Sequence, residues 1–159
     1  MFLELIIKLL NYNNFNTAYS IYLGLDHTSI HRLKSSIQKK IGIRFENYLE
    51  KIKEVFKVES NQANLKEAIL KCLLPCVPFM GMFIKDLNIL KEKSRLNFEN
   101  KGKYKLYDIK IVKNISEIMK FIKFCQTESY KFKKNALGSM IEELPLVEED
   151  ELYQISGSS

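Results

Sequence analysis

LPCVPFMGMFIKDLNILKE, residues Leu74 to Glu92, decides the fold. Pro75-Cys76-Val77-Pro78 is a proline-bracketed turn that opens directly onto an apolar run ending at Lys91 and Glu92. Pro78 suits a first helical turn, where its missing N–H has no intrahelical partner. Phe79, Met82, Phe83, Asp86, Leu87 and Leu90 recur at spacings of three and four, the period of a helix. The spacing predicts a helix over Phe79–Glu92 that carries an apolar stripe and brings the Glu92 carboxylate to its far end.

Downstream, KSRLNFENKGKY reads as a polar loop. From Leu106 a second long helix is expected to run to Gln126, with Ile109, Val112, Ile115, Ile118, Met119 and Ile122 on one stripe. Two long helices joined by an exposed loop make a helical hairpin, here over residues 78–126. Upstream, Phe2–Leu10 and Phe15–Leu25 read as helices separated by the joint Asn11-Tyr12-Asn13-Asn14. Asparagine competes for backbone hydrogen bonds and favours caps, so a break is expected there. Thr28 is placed to cap a short helix through Ser36, and Phe45–Val58 is an amphipathic helix. Ser60–Ala63 reads as a polar joint before a helix capped by Asn64. Shorter helices around Leu137–Leu144 and Glu148–Ile155 close the chain, and residues 157–159 read as a flexible tail. No β-alternation persists, so the fold class is all-α, an irregular helical domain with a protruding hairpin.

A chain of 159 residues holds one domain with a real core, and a hydrophobic content of 46% excludes disorder as the default. The formal charge is +6, and the acidic residues Glu142, Glu143, Glu148, Glu149, Asp150 and Glu151 gather at the C-terminus. The body is therefore more basic than the total. A basic body fits a membrane face, nucleic acid or an acidic protein surface equally. The first residues carry Glu4 and Lys8 within an apolar run and lack a basic leader, so no signal peptide is read. No apolar run approaches the roughly 20 residues needed to span a bilayer. Three cysteines without secretory features argue for reduced thiols and a cytoplasmic location.

His27 and His31 lie four apart, but a zinc site needs a third protein ligand and a metalloprotease glutamate is absent between them. No metal site is expected. Cys72 and Cys76 sit in apolar company and read as buried, inert thiols. Lys101-Gly102-Lys103 lacks the upstream glycine and following hydroxyl of a phosphate loop. With two histidines and no nucleophile motif, covalent chemistry is not expected, and no cofactor is implied. A nucleic-acid reading rests on charge alone, with no reading helix or aromatic-basic interleaving, so no nucleic-acid partner is expected.

Six stretches, taken in order, resemble the catalytic domain of Ras-family guanine-nucleotide exchange factors. NNFN at Asn13–Asn16 leads into GLDHTSIHRLK at Gly24–Lys34, similar to that family's "GLNSxxIxRL". NLKEAILKC at Asn64–Cys72 precedes PCVPFMG at Pro75–Gly81, the most recognisable of the matches. KDLNILKE at Lys85–Glu92, ISEI at Ile115–Ile118 and LVEEDELYQIS at Leu146–Ser156 follow in the family's order.

The resemblance implies a non-covalent exchange factor whose hairpin opens the nucleotide site of a small GTPase of Ras or Rap type and promotes GDP release. Phe79 resembles the aromatic anchor against switch II, and Glu92 the hairpin glutamate that approaches the phosphate and metal region. Asn88, one turn earlier, stands where relatives carry an apolar or small polar plug. Asp26, Thr28 and His31 align with positions that contact switch II.

The sequence also departs from the family. The family's domain begins with further helices upstream of the NNFN joint, so a partial RasGEF domain over residues 1–156 is expected. That expectation leaves the face of Phe2, Leu3, Ile6, Leu9 and Leu10 exposed and open to self-association. Lys93-Ser94-Arg95 replaces the family's "GN", and Val112 and Lys113 replace an arginine pair. The alternative reading is a catalytically weak or inactive GTPase-binding module. Recruitment to the inner face of a membrane would then come through regions outside this sequence.

Overall fold

The asparagine joint is where the architecture starts. A computed structural model of the chain describes residues 1–30, 43–57, 59–96, 100–101, 104–105, 108–133 and 136–157. Helix α1 (Phe2–Asn11) ends as Asn13 turns into the left-handed region at φ 56, a conformation asparagine tolerates better than most residues. Asn14 then caps helix α2 (Phe15–Leu25), its side chain accepting from the Thr17 N–H at 3.1 Å. Helices α3 (Ile43–Phe56), α4 (Glu59–Lys71), α5 (Met80–Leu96), α6 (Ile109–Cys125), α7 (Ala136–Glu142) and α8 (Glu149–Gly157) follow. The all-α class expected from the sequence holds, with one small addition. Asn100–Lys101 (β1) pairs antiparallel with Tyr104–Lys105 (β2) in a two-residue ribbon between α5 and α6.

The core sits where α1–α4 meet the hairpin. Ile6, Ile52, Phe56, Leu65 and Ile69 are each at most 1% exposed. Each such side chain contributes about 1.5–3 kcal/mol by leaving water. Phe56 packs on Tyr19 and Tyr22, with ring centroids 5.0 and 5.1 Å away. Phe83 of α5 meets Phe121 of α6 at 5.6 Å. An early residue of one helix beside a late residue of the next makes the pair antiparallel, which is the expected hairpin.

Several expectations change. The N-terminal apolar face is not bare: Ile6 is fully buried, and Leu3, Leu9 and Leu10 pack against the core. Only Met1, Phe2 and Leu5 of that end stay exposed among its large apolar residues. Contacts of α1 with α2 and α3 supply the cover. Ser60–Ala63 is not a joint outside the helix, because α4 begins at Glu59; the interruption survives as Gln62 at φ 59. Asn64 lies inside α4, and its amide donates to the Glu54 carbonyl (2.8 Å) and carboxylate (3.1 Å), tying α4 to α3.

Helix α5 runs past Glu92 to Leu96, since no glycine or proline stops Lys93-Ser94-Arg95. Helix α6 begins at Ile109 rather than Leu106, because Asp108 caps it by accepting from the Lys110 N–H at 2.8 Å. Its stripe is also re-registered. Ile111 and Cys125 are buried and Phe121 packs on the core, whereas Ile109, Val112 and Met119 are 82%, 51% and 54% exposed. Thr28 to Ile30 are helical, and the rest of that expected helix, to Ser36, lies outside the described residues. No helix among the described residues is long and apolar enough to cross a membrane.

Candidate functional site

The turn that carries Phe79 is held by the asparagine joint. Val77 N–H donates to the Asn13 carbonyl at 3.0 Å, and Asn16 N–H donates to the Val77 carbonyl at 3.2 Å. These bonds form an isolated parallel bridge between Asn14 and Val77. The Asn13 amide also donates to the Leu73 carbonyl at 2.8 Å. Six backbone and side-chain groups that a loop would otherwise leave to water are thereby paired. The entry to the hairpin is fixed by a joint some sixty residues away in sequence.

Phe79 lies just before α5, not within it, and is half-buried. Its ring packs on Tyr19 with centroids 4.5 Å apart, a separation typical of favourable aromatic pairs. The ring also covers Gly81 so closely that a Cβ there would stand 2.5 Å from its Cζ. Gly81 is therefore the residue that lets Phe79 lie over the first turn of α5. Asp86, the one acid in the apolar run, receives the Lys66 ammonium of α4 at 2.6 Å. Its side chain is 17% exposed, so the pair fixes the hairpin against α4 rather than decorating the surface. Beside it, a groove of about 500 Å³ runs between α4, α5 and α6, lined by Leu70, Phe83, Leu90 and Phe121 with Lys66 and Glu117.

Beyond the groove, Asn88 and Glu92 are exposed and lie four residues apart on one face of α5. Lys91 and Lys93 beside them are exposed too. Asp26 and Thr28 are exposed at the end of α2, Asp26 as its C-cap. His31 lies outside the described residues. Between Asp26 and Thr28, His27 is oriented from both ring nitrogens. Its Nδ1 accepts from the Ser29 N–H at 3.3 Å, and its Nε2 faces Glu149 Oε1 of α8 at 3.3 Å. The buried Ser29 Oγ has no hydrogen-bond partner among the described residues. Tyr22 is pushed above its ordinary value of 10.0 by burial first, then by the charge of Asp26 and by Tyr19.

The three cysteines meet at the base of the hairpin, all free. Cys76 is raised well above its ordinary 9.0, first by burial and then by the hydrogen bond with Cys72; Cys125 is raised chiefly by burial. Burial of Cys76 fits the inert role expected for it, whereas Cys72, expected to be buried too, is half-buried. No group of three metal-ligating side chains occurs among the described residues.

The sequence reading missed Asn13, Tyr19, Gly81 and the Lys66–Asp86 pair. Two of these carried a signal. A glycine in the first turn of a helix costs stability unless a close approach requires it, and a lone aspartate on an apolar stripe asks for a partner.

Fold and site together define an all-α domain with a helical hairpin and an aromatic side chain wedged at the hairpin's base. The RasGEF domain matches residues 1–124, and the chain belongs to that family. Ras-specific guanine nucleotide-releasing factor 2 of Danio rerio is 27% identical over 146 residues, covering 91% of this chain and 11% of that protein. The human Ras-specific guanine nucleotide-releasing factor 1 gives the same identity and coverage. Ras guanine nucleotide exchange factor Q of Dictyostelium discoideum is 31% identical over 155 residues, again 91% of this chain and 11% of that protein. The chain thus spans about a tenth of the length of these curated relatives.

Proposed function

We propose that this chain is a guanine-nucleotide exchange domain that promotes GDP release from a Ras-family small GTPase through its α5–α6 hairpin. Family membership and the names of the relatives support the reaction. The observation that carries the mechanism is the spacing along α5. A half-buried aromatic locked by Tyr19 and Gly81 stands at the base. Thirteen residues on, about 20 Å at helical rise, an exposed carboxylate stands one turn beyond an exposed amide. Phe79 with Asp26 and Thr28 holds the GTPase, and Glu92 with Asn88 enters the phosphate and magnesium end of its site. A carboxylate there repels the nucleotide phosphates and competes for the cation that cradles them.

No covalent bond is made or broken, and the domain itself needs no cofactor. It binds the nucleotide-free GTPase better than the loaded one, and linkage then requires that it weaken nucleotide binding by the same factor. The test is assembly. The chain is expected to co-elute with a nucleotide-free Ras-family GTPase and to be released by added GDP. A complex indifferent to GDP, or none at all from folded chain, would refute the reading. Asn88 favours a second one: an exposed amide is hydrated and wedges less well than an apolar plug, which would leave a binding module that forms the complex without speeding release.

A further inference from the structure

Helix α6 carries two stripes, and the fold uses one of them. On the inner stripe Ile111 is buried, Cys125 belongs to the core, and Ile118 and Phe121 pack against it, Phe121 meeting Phe83 of α5. On the outer one, Ile109, Val112, Met119 and Phe124 are 82%, 51%, 54% and 51% exposed. Lys113, Lys120 and Lys123 stand between them, all exposed. Positions 109, 112, 113, 116, 119, 120, 123 and 124 recur at the helical period, so they form one continuous face about 22 Å long. The face is strongly one-signed: α6 holds four lysines and one carboxylate, Glu117, and residues 100–133 hold nine lysines against three carboxylates. Among the described residues no ion pair engages Lys113, Lys120 or Lys123. A merely solvated face usually mixes both signs and leaves few large apolar groups in water.

We propose that the outer face of α6 docks on an anionic lipid bilayer, with the helix lying in the plane of the interface. The ammonium groups of Lys113, Lys120 and Lys123 reach the acidic headgroups while their stems lie along apolar surface. Val112, Met119, Phe124 and Ile109 enter the boundary between headgroups and acyl chains. A nucleic acid would match the lysines and leave those four side chains in water, which is why lipid fits the pattern better. Because the inner stripe faces α5, the outer face points away from Asn88 and Glu92 and is available independently of the exchange reaction.

The experiment is vesicle sedimentation of the intact chain, with no GTPase present. Binding is expected to vesicles in which about a third of the lipid is phosphatidylserine, to fall as salt is raised, and to be absent on pure phosphatidylcholine. Lys113→Gln with Lys120→Gln should lower the partition coefficient about 25-fold, from about fivefold per lysine. Val112→Gln with Met119→Gln, both at exposed positions, should weaken vesicle binding and leave any retention on duplex DNA unchanged. Circular dichroism establishes that each variant keeps its helices. No binding to anionic vesicles, equal binding to neutral ones, or loss with the lysines but no effect of the apolar pair would overturn the proposal; the last result would define a general polyanion surface.

Discussion

Replacing Gly81 by alanine puts a carbon 2.5 Å from Cζ of Phe79, and 3.0 and 3.1 Å from its Cε2 and Cε1. Carbon atoms rest in contact at about 3.5 Å, so the tip of the ring must retreat by about 1 Å. Tyr19, with its ring centroid 4.5 Å from that of Phe79, opposes the retreat. Overpacking of this kind costs about 1–3 kcal/mol. Against it, alanine is favoured over glycine in a helix by up to about 1 kcal/mol. The net effect of Gly81→Ala is then a destabilisation of about 1 kcal/mol. In a Phe79→Ala background the clash is gone, and the same substitution should stabilise by up to about 1 kcal/mol. A four-protein cycle measured by urea denaturation is therefore expected to give a coupling of about 1–3 kcal/mol. Additivity within about 0.5 kcal/mol would refute the claim that Gly81 makes room for the Phe79 ring. The same cycle read by nucleotide release should show Gly81→Ala slowing exchange alone and adding nothing once Phe79 is removed.

Truncation of the proposed anchor, Phe79→Ala, is expected to weaken GTPase association by about 2–4 kcal/mol, or roughly 30- to 1000-fold, measured by titration calorimetry. Asn13→Ala should cost about 1–3 kcal/mol in chemical denaturation, since it loses the bond to Leu73 and strains a φ of 56. Asn13→Gly keeps the backbone at ease and should cost less; equal losses would put the whole effect in the hydrogen bond. Lys66→Met leaves the shielded Asp86 carboxylate unpaired and should destabilise by about 1–2 kcal/mol, with little effect if the pair is only a surface feature. Cys76 is raised above 9.0, and Tyr22 and Tyr130 above 10.0, by burial. A raised folded value contributes stability that is complete below the unfolded value and is lost as pH climbs toward the folded one. Tm should thus hold level below pH 9 and fall above it, and Cys76→Ser should flatten the first part of the fall. An alkaline limb unchanged by that substitution would count against the thiol.

The hairpin was legible because its helices are long and periodic, and the joint before α2 because asparagine clusters there. What the sequence hid followed from choices made by packing. Helix α6 offers two apolar stripes with the same period, and only the meeting of Phe121 with Phe83 decides which one faces inward. Ile109, Val112 and Met119 fell on the wrong side for that reason. The α1 face looked orphaned because its cover comes from α2 and α3, elements that a reading from upstream helices alone does not count. The apolar periodicity of α5 ends at Glu92, yet the helix continues because nothing in Lys93–Leu96 breaks it. The proposed site residues Phe79, Asn88, Glu92, Asp26, Thr28 and His31 rest on motif position, whereas the bonds from Asn13 across to Leu73 and Val77 link segments too distant for any local pattern.

The most direct test of the exchange reading is the release of a fluorescent GDP analogue from Ras-family GTPases, followed with the parent chain and with Glu92→Ala. Acceleration by the parent that is largely lost in the variant, with helical content equal in both, is the predicted result. Equal acceleration by the two proteins would contradict the role given to the hairpin carboxylate.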